Sequence, residues 1–335
     1  MADAPLILAG DLGGTNFRVA LFRGDEGMSR VEFSKFRSSD HGSLEEMVRL
    51  FLAKIGSTTS PVQSACFGVP GPNVAGIVKA SNLGWNIEIN ALPRLIGIPR
   101  VAVLNDLEST AYGLAALRQT DLATLQAGSG SQAGNQCVVA PGTGLGEAGL
   151  FWDGTRHTPW ACEGGHADFA PTDDLQHELL GFLRREYGSV SVERVVSGMG
   201  IANIYRFLRD SGHGIENDDV AREILSGDAA ATIASHAAAG SCPLCMSAMD
   251  LFVRTLGSEA SNMALKTMAT GGIFLGGGIP PKLLPLLRRP IFLESFLNKG
   301  RLRPLLETMP LHVVLNDETA LLGSARYALR MLETR

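Results

Sequence analysis

Leu6-Ile7-Leu8-Ala9-Gly10-Asp11-Leu12-Gly13-Gly14-Thr15-Asn16 leads directly into Phe17-Arg18-Val19-Ala20-Leu21-Phe22. An apolar run, a Gly/Thr turn and a second apolar run read as strand, turn and strand. The same grammar returns at Cys137-Val138-Val139-Ala140-Pro141-Gly142-Thr143-Gly144-Leu145-Gly146, followed by Glu147-Ala148-Gly149-Leu150-Phe151. Turns of this composition present backbone N–H groups and a hydroxyl with no bulky side chain in the way, a surface that suits polyphosphate oxygens. Two of them, one in each half of the chain, point to two lobes closing on one nucleotide.

Each turn by itself has a plainer reading, a tight β-hairpin that uses glycine for positive φ. Two other phosphate motifs are excluded at the first turn. G-x-x-x-x-G-K-[ST] is absent, and G-D-L-G-G-T is not G-x-G-x-x-G and precedes a strand rather than a helix. A third glycine run, Gly276-Gly277-Gly278-Ile279, follows the strand-like Gly271–Leu275 and precedes Pro280-Pro281-Lys282. It reads either as bare backbone for a flat adenosine or as a sharp strand-to-helix connection.

The bulk numbers exclude several classes. At 335 residues, 45% hydrophobic and 19% charged, the chain is long enough for two ordinary globular domains. A net charge of −5 and a pI near 5.8 carry no electrostatic footprint for nucleic acid. The basic neighbourhoods Arg288-Arg289 and Arg301–Arg303 read as solvated surface. No run of apolar residues reaches membrane-spanning length, and Pro5–Gly10 is too short for a signal-peptide core. Five cysteines without regular spacing suit a reducing compartment, so the expectation is a cytoplasmic protein. Cys242-Pro243-Leu244-Cys245 is a single C-x-x-C pair, short of a four-ligand zinc site.

Along the chain, residues 6–10, 17–23 and 30–36 read as a meander whose second turn is Gly24-Asp25-Glu26-Gly27. A helix over 43–56 follows, with Ser43 and Glu46 spaced as a capping box. Ala65–Val69 and Val101–Leu104 read as buried strands, and a helix runs through Leu107–Leu117. The second region is expected from about residue 111, with its hairpin at 137–152 and a helical half from about 174 to 268. Asp228–Ala239 reads as a closely packed Ala-rich helix. Leu311–Leu315 is a late strand, and a final helix over 317–333, with Asp317 as candidate cap, returns to the first lobe. The expected domains are therefore 1–110 with about 317–335, and 111–316. Repeated strand–helix order argues α/β lobes with mixed sheets.

Asn105-Asp106 ends a buried strand, where α/β sheets open their clefts. Asp106 has two readings, an acceptor for the proton of an attacking hydroxyl or an N-cap of the next helix. Glu163-Gly164-Gly165-His166 sets a carboxylate and an imidazole on one small-residue loop beside Asp168, and Glu193 opens another helix-like stretch. Converging carboxylates and amides suit a polyol, since a carboxylate accepts from two adjacent hydroxyls. His166 also reads as a structural histidine, and Glu193 as a surface charge.

Together these segments resemble the bacterial glucokinase family, within the actin/hexokinase/Hsp70 superfamily. Asp11–Asn16 looks like its first phosphate motif, Gly142–Gly146 its second, Leu275–Ile279 its adenosine motif and Val103–Asp106 its catalytic segment. Glu163–Pro171 and Ser191–Gly198 look like its sugar-binding segments. The matches run in order over nearly the whole chain. No cysteine follows His166 until Cys242, so the chain resembles the zinc-free members. The resemblance implies a two-lobed actin-like/ribonuclease H-like ATPase fold, with mixed sheets flanked by helices and an interlobe cleft. It implies ATP-dependent phosphorylation of D-glucose at the 6-hydroxyl, with Asp106 as general base and Asn105, Asp106, Glu163, His166 and Glu193 on the sugar. ATP contacts would come from Gly10, Asp11, Leu12, Gly13, Gly14, Thr15, Gly142, Thr143, Gly144, Gly276 and Gly277. Mg2+ would ride on the phosphates without direct protein ligands, Asp11 touching one of its waters, and a homodimer is implied. Two alternatives stand beside this: a kinase for another hexose or amino sugar, or for a donor such as polyphosphate, and a catalytically silent sugar-sensing protein.

Overall fold

The computed structural model describes residues 4–25, 27–56, 60–80, 83–129 and 133–333. Glu26, in the expected second turn of the meander, lies outside them. The chain divides into two units, Met1–Gln119 with Asn316–Arg335, and Thr120–Leu315.

The first unit is built on β1 (Leu6–Leu12), β2 (Asn16–Arg23), β3 (Arg30–Arg37), β4 (Val62–Val69) and β8 (Arg100–Asn105), in the order β3-β2-β1-β4-β8. The meander β1–β3 is antiparallel, while β1, β4 and β8 run parallel. A small sheet of β5 (Asn73–Val74), β6 (Ile77–Ala80) and β7 (Trp85–Glu88) intervenes. Period-2 alternation in β1 and β2 splits their side chains between two cores. Leu6, Leu8, Leu12, Phe17, Val19 and Leu21 face α1 (Leu44–Ile55) and α2 (Leu92–Ile96). Ile7, Ala9, Ala20 and Phe22 join Leu321, Ala325 and Ala328 of the C-terminal helix (Thr319–Glu333). Strands buried on both faces explain why β1 reads as a continuous apolar run.

Three local expectations change. Ser43 caps α1, its hydroxyl accepting from Glu46 N–H at 3.2 Å, but the Glu46 carboxylate takes Gly42 N–H at 2.8 Å. The reciprocal half of the box has thus moved one residue, beside His41 Nδ1 at 3.3 Å. The helix expected through Leu107–Leu117 is α3 (Asp106–Gly113), tightened into a 3-10 turn over Leu114–Ala116. Asp317 does not cap the last helix. Asn316 Oδ1 accepts Glu318 N–H at 2.9 Å, because the Asp317 carboxylate is engaged by Arg18 at 2.6 Å.

The second unit has a six-stranded sheet in the order β12-β11-β10-β13-β14-β9. Its strands are β9 (Leu122–Gln126), β10 (Gln136–Pro141), β11 (Leu145–Trp152), β12 (His157–Cys162), β13 (Gly272–Leu275) and β14 (Leu311–Val314). β10, β13 and β14 run parallel, and the outer pairings are antiparallel. Between β12 and β13 come α4 (Asp174–Tyr187), α5 (Gly198–Asp210), α6 (Asp218–Ser226), α7 (Ala229–Ala238) and α8 (Pro243–Thr267). The short α9 (Leu284–Leu287), α10 (Pro290–Leu297) and α11 (Arg303–Glu307) precede β14. α8 is buried nearly all round and is the central post of this core, as a helix apolar on most faces must be. The C-x-x-C pair starts it: Cys242 Sγ accepts Cys245 N–H at 3.2 Å as an N-cap. Among the described residues no helix is long and apolar enough to cross a membrane.

Candidate active site

In the first unit the polar residues gather at the carboxyl edge of the parallel strands. Asp11, Gly68 and Leu104 lie in register across β1, β4 and β8, and Asn105 and Asp106 follow at once. Asn105 Oδ1 accepts Leu107 N–H at 2.8 Å, so Asn105 caps α3. Asp106 Oδ1 shares that donor at 3.0 Å, placing the carboxylate in the first helical turn, where the helix dipole favours negative charge. Close packing fixes α3. Gly113 lies against the Thr319 backbone and Gly323 against that of Ser109, where a Cβ would overlap.

The Asp11 carboxyl at this edge is perturbed. Burial pushes it up to about 6, Arg18 opposes the shift, and the charges of Asp106 and Asp317 add to it. Arg18 stands opposite Asp11 across the β1–β2 pair and is clamped by the Asp317 carboxylate and carbonyl. Sequence reading did not single out Arg18. Its place opposite Asp11 follows once the turn register is known, whereas nothing local connects it to Asp317.

The Gly13–Thr15 turn is held from beneath. Gly13 N–H donates to Asn16 O at 2.8 Å, Ser38 Oγ donates to Gly13 O at 3.0 Å and Ser38 N–H to Thr15 O at 2.9 Å. Neither glycine needs a positive φ. What glycine supplies at position 13 is space, since among the described residues a Cβ there would meet only Asn16 O at 3.4 Å. Gly10 and Leu12 are different. Gly10 is wedged against the Phe17 and Phe67 rings, where a Cβ would come within 2.6 Å, and Leu12 is fully buried. Both serve the core, and the accessible turn begins at Gly13.

In the second unit the ends of β10 and β13 lie side by side. Gly276 N–H donates to Val139 O at 2.9 Å, and Gly277, at φ 78°, packs so close to Pro141 O that a Cβ would come within 2.6 Å. Gly142 bonds Gly144 O through its N–H and accepts Gly198 N–H, both at 2.8 Å, which ties the turn to the start of α5. A Cβ on Gly142 would meet no atom of the described residues within 4 Å, and Thr143 is exposed.

Leu145 joins this turn to the acidic residues. Its N–H donates to Glu193 Oε2 at 2.8 Å, and a Cβ on Gly144 would overlap that oxygen. Its carbonyl supports Gly165, where again no Cβ fits. Val192 N–H donates to Ala167 O at 2.9 Å, and Asp168 bridges Ser191. The Glu163–His166 turn, the Glu193 turn and the Gly142–Gly144 turn are thereby one cluster. Glu163 and His166 keep 65% and 63% of their side chains exposed, 4.0 Å apart, and so remain open to a ligand. Among the described residues no group of three or more His, Cys, Asp or Glu is arranged to hold a metal.

Mixed sheets flanked by helices, with glycine turns at the strand ends of both units, define the actin-like ATPase fold of sugar kinases. The family model described as Glucokinase matches residues 8–331. A glucokinase of Trichormus variabilis is 38% identical over 97% of this chain and 99% of its own length. The crystal structure of a glucokinase from an Antarctic psychrotroph superposes with a TM-score of 0.84 at 32% identity, covering 97% of this chain and 99% of that one. A ROK family glucokinase from Streptomyces griseus, solved with glucose and AMPPNP, shares the fold at a TM-score of 0.61 and 18% identity, covering 97% and 99%. The chain belongs to the glucokinase family.

Proposed function

We propose that this protein phosphorylates the 6-hydroxyl of D-glucose with ATP. The observation that carries the reading is the junction at Leu145, which binds an exposed carboxylate–imidazole pair, a positioned carboxylate and an open glycine turn into one cluster. Sugar hydroxyls both donate and accept, and Glu163, Glu193 and His166 together meet both needs. Asn105, whose Oδ1 is committed to its cap, offers its amide N–H groups. Asp106 orients the 6-hydroxyl and accepts its proton as the phosphoryl group transfers. In a loose transition state that help comes late, so positioning supplies much of the rate.

Gly13–Thr15 and Gly142–Thr143 present backbone to the phosphates, and Gly276-Gly277 backs the adenosine. The space a Cβ would fill at Gly142 fits this role. The half-buried Asp11 carboxyl, with Asp106 and Asp317 near, fits the water shell of a divalent cation, and Mg2+ when bound would neutralise charge on the phosphate oxygens. A cytoplasmic homodimer completes the reading, and light scattering tests the dimer.

A coupled assay for glucose 6-phosphate with ATP and competing hexoses and amino sugars tests the reaction. Glucose is expected to give the highest kcat/KM. Preference for another sugar would replace the substrate, and binding of glucose without ADP release would replace the catalytic reading by a sensing one.

A further inference from the structure

Glu147 of β11 and Glu259 of α8 are 1% and 4% exposed. Glu259 has help: Asn262 Nδ2 donates to its Oε2 at 2.9 Å, and Lys266 Nζ stands 3.9 Å from Oε1. Among the described residues neither carboxyl oxygen of Glu147 has a hydrogen-bond donor. The two carboxyls approach closely enough to bond each other. Ionised carboxylates only accept, so that contact becomes a hydrogen bond when one of them keeps a proton. A buried charge without donors is costly, which places the proton on Glu147. A second observation gives the pair a position. Glu147 Oε2 presses against Gly164, where a Cβ would overlap it, and Gly164 opens the turn between Glu163 and His166.

We propose that Glu147, donating its proton to Glu259, is a positioning residue for the Glu163–His166 turn, supporting the backbone at Gly164 and thereby the two exposed side chains. Its effect on glucose rests on the sugar-binding reading of that turn.

The titratable groups around Glu147 are Glu259 and Lys266 of α8, Cys137 of β10 and Cys162 of β12; Lys299 beyond α10 acts on Glu259, and Glu163 on Cys162. Burial, then the Glu259 charge, pushes Glu147 up to about 8, with Lys266 opposing. Burial raises both thiols, Cys137 to about 12, and lowers Lys299. Burial raises Glu259 as well, with Asn262 and Lys266 opposing, so loss of the Glu147 proton as the pH climbs removes the donor beneath Gly164 and adds a like charge to the pair.

The test compares the full chain with Glu147→Gln, whose amide still donates but does not ionise, and with Glu147→Met, which fills the site without a titrating group. Between pH 7 and 9 the wild-type KM for glucose is expected to rise about fivefold or more, while the KM for ATP holds within about twofold. Both variants should give flat KM profiles, and Glu147→Gln should match wild type at pH 7 within about twofold. Hydrogen exchange of the 162–169 segment, corrected for intrinsic rates, should accelerate at pH 9 in wild type alone. Exchange or KM profiles in Glu147→Gln that follow wild type overturn the proposal. An exchange difference without any glucose turnover overturns the glucose reading and leaves the positioning role standing.

Discussion

Gly144→Ala isolates the joint between the nucleotide turn and the sugar cluster. Gly144 does not have a positive φ, so alanine is conformationally allowed and the effect is steric. The new Cβ would overlap Glu193 Oε2 and lie 3.2 Å from Cδ. The carboxylate cannot retreat cheaply, because Oε2 accepts Leu145 N–H at 2.8 Å while the Glu193 carbonyl is held by Ser197 Oγ at 2.6 Å. Displacement removes a hydrogen bond to a charged acceptor, about 1.5–3 kcal/mol. If that loss falls on the sugar complex, the KM for glucose rises roughly 10- to 150-fold. Gly142→Ala is the matched control. Its Cβ meets no atom of the described residues within 4 Å, so the melting temperature and glucose KM should hold while the KM for ATP rises. Steady-state kinetics on both substrates with thermal melts separates the two. A Gly144→Ala enzyme with unchanged glucose KM would refute the reasoning.

Other outcomes follow from the same geometry. Asp106→Ala should keep glucose affinity within about tenfold in calorimetry and lower kcat by at least ~100-fold, and near-normal turnover removes Asp106 from the base role. Asp11→Asn should stabilise the protein at pH 7.5 by up to about 3 kcal/mol. The Asp11 carboxyl is raised from 3.8 to about 6, so the folded state binds the extra proton and stability falls as pH climbs through that interval. Denaturant melts at pH 5 and 7.5 check this: the gain should shrink at the lower pH. Arg18→Met removes the charge that lowers the Asp11 pKa, so the acid limb of kcat/KM should move to higher pH, and an unmoved limb would detach Asp11 from the reaction. The alkaline behaviour of Glu147→Gln stands beside these as the test of the carboxyl pair.

Much of the molecule is legible in its sequence. Strands β1 and β2, the Ser43 cap, the Ala-rich helix after Asp228 and the glycine turns are all written in neighbouring residues, because turn chemistry and period-2 alternation act over a few positions. Other features were not legible. Gly10 and Leu12 share a motif with Gly13 but face Phe17, Phe67 and the core, which depends on which strands flank β1. Arg18 takes the expected helix cap, Asp317, from 299 positions away. Glu147 reads locally as the polar member of a hairpin strand, and only the packing of α8 makes it a buried carboxyl with a partner. Backbone preference and hydrophobic pattern are properties of short segments, so they survive in the bare string. A charge's partner and a carboxyl's proton depend on what the folded chain brings alongside, and folding decides them.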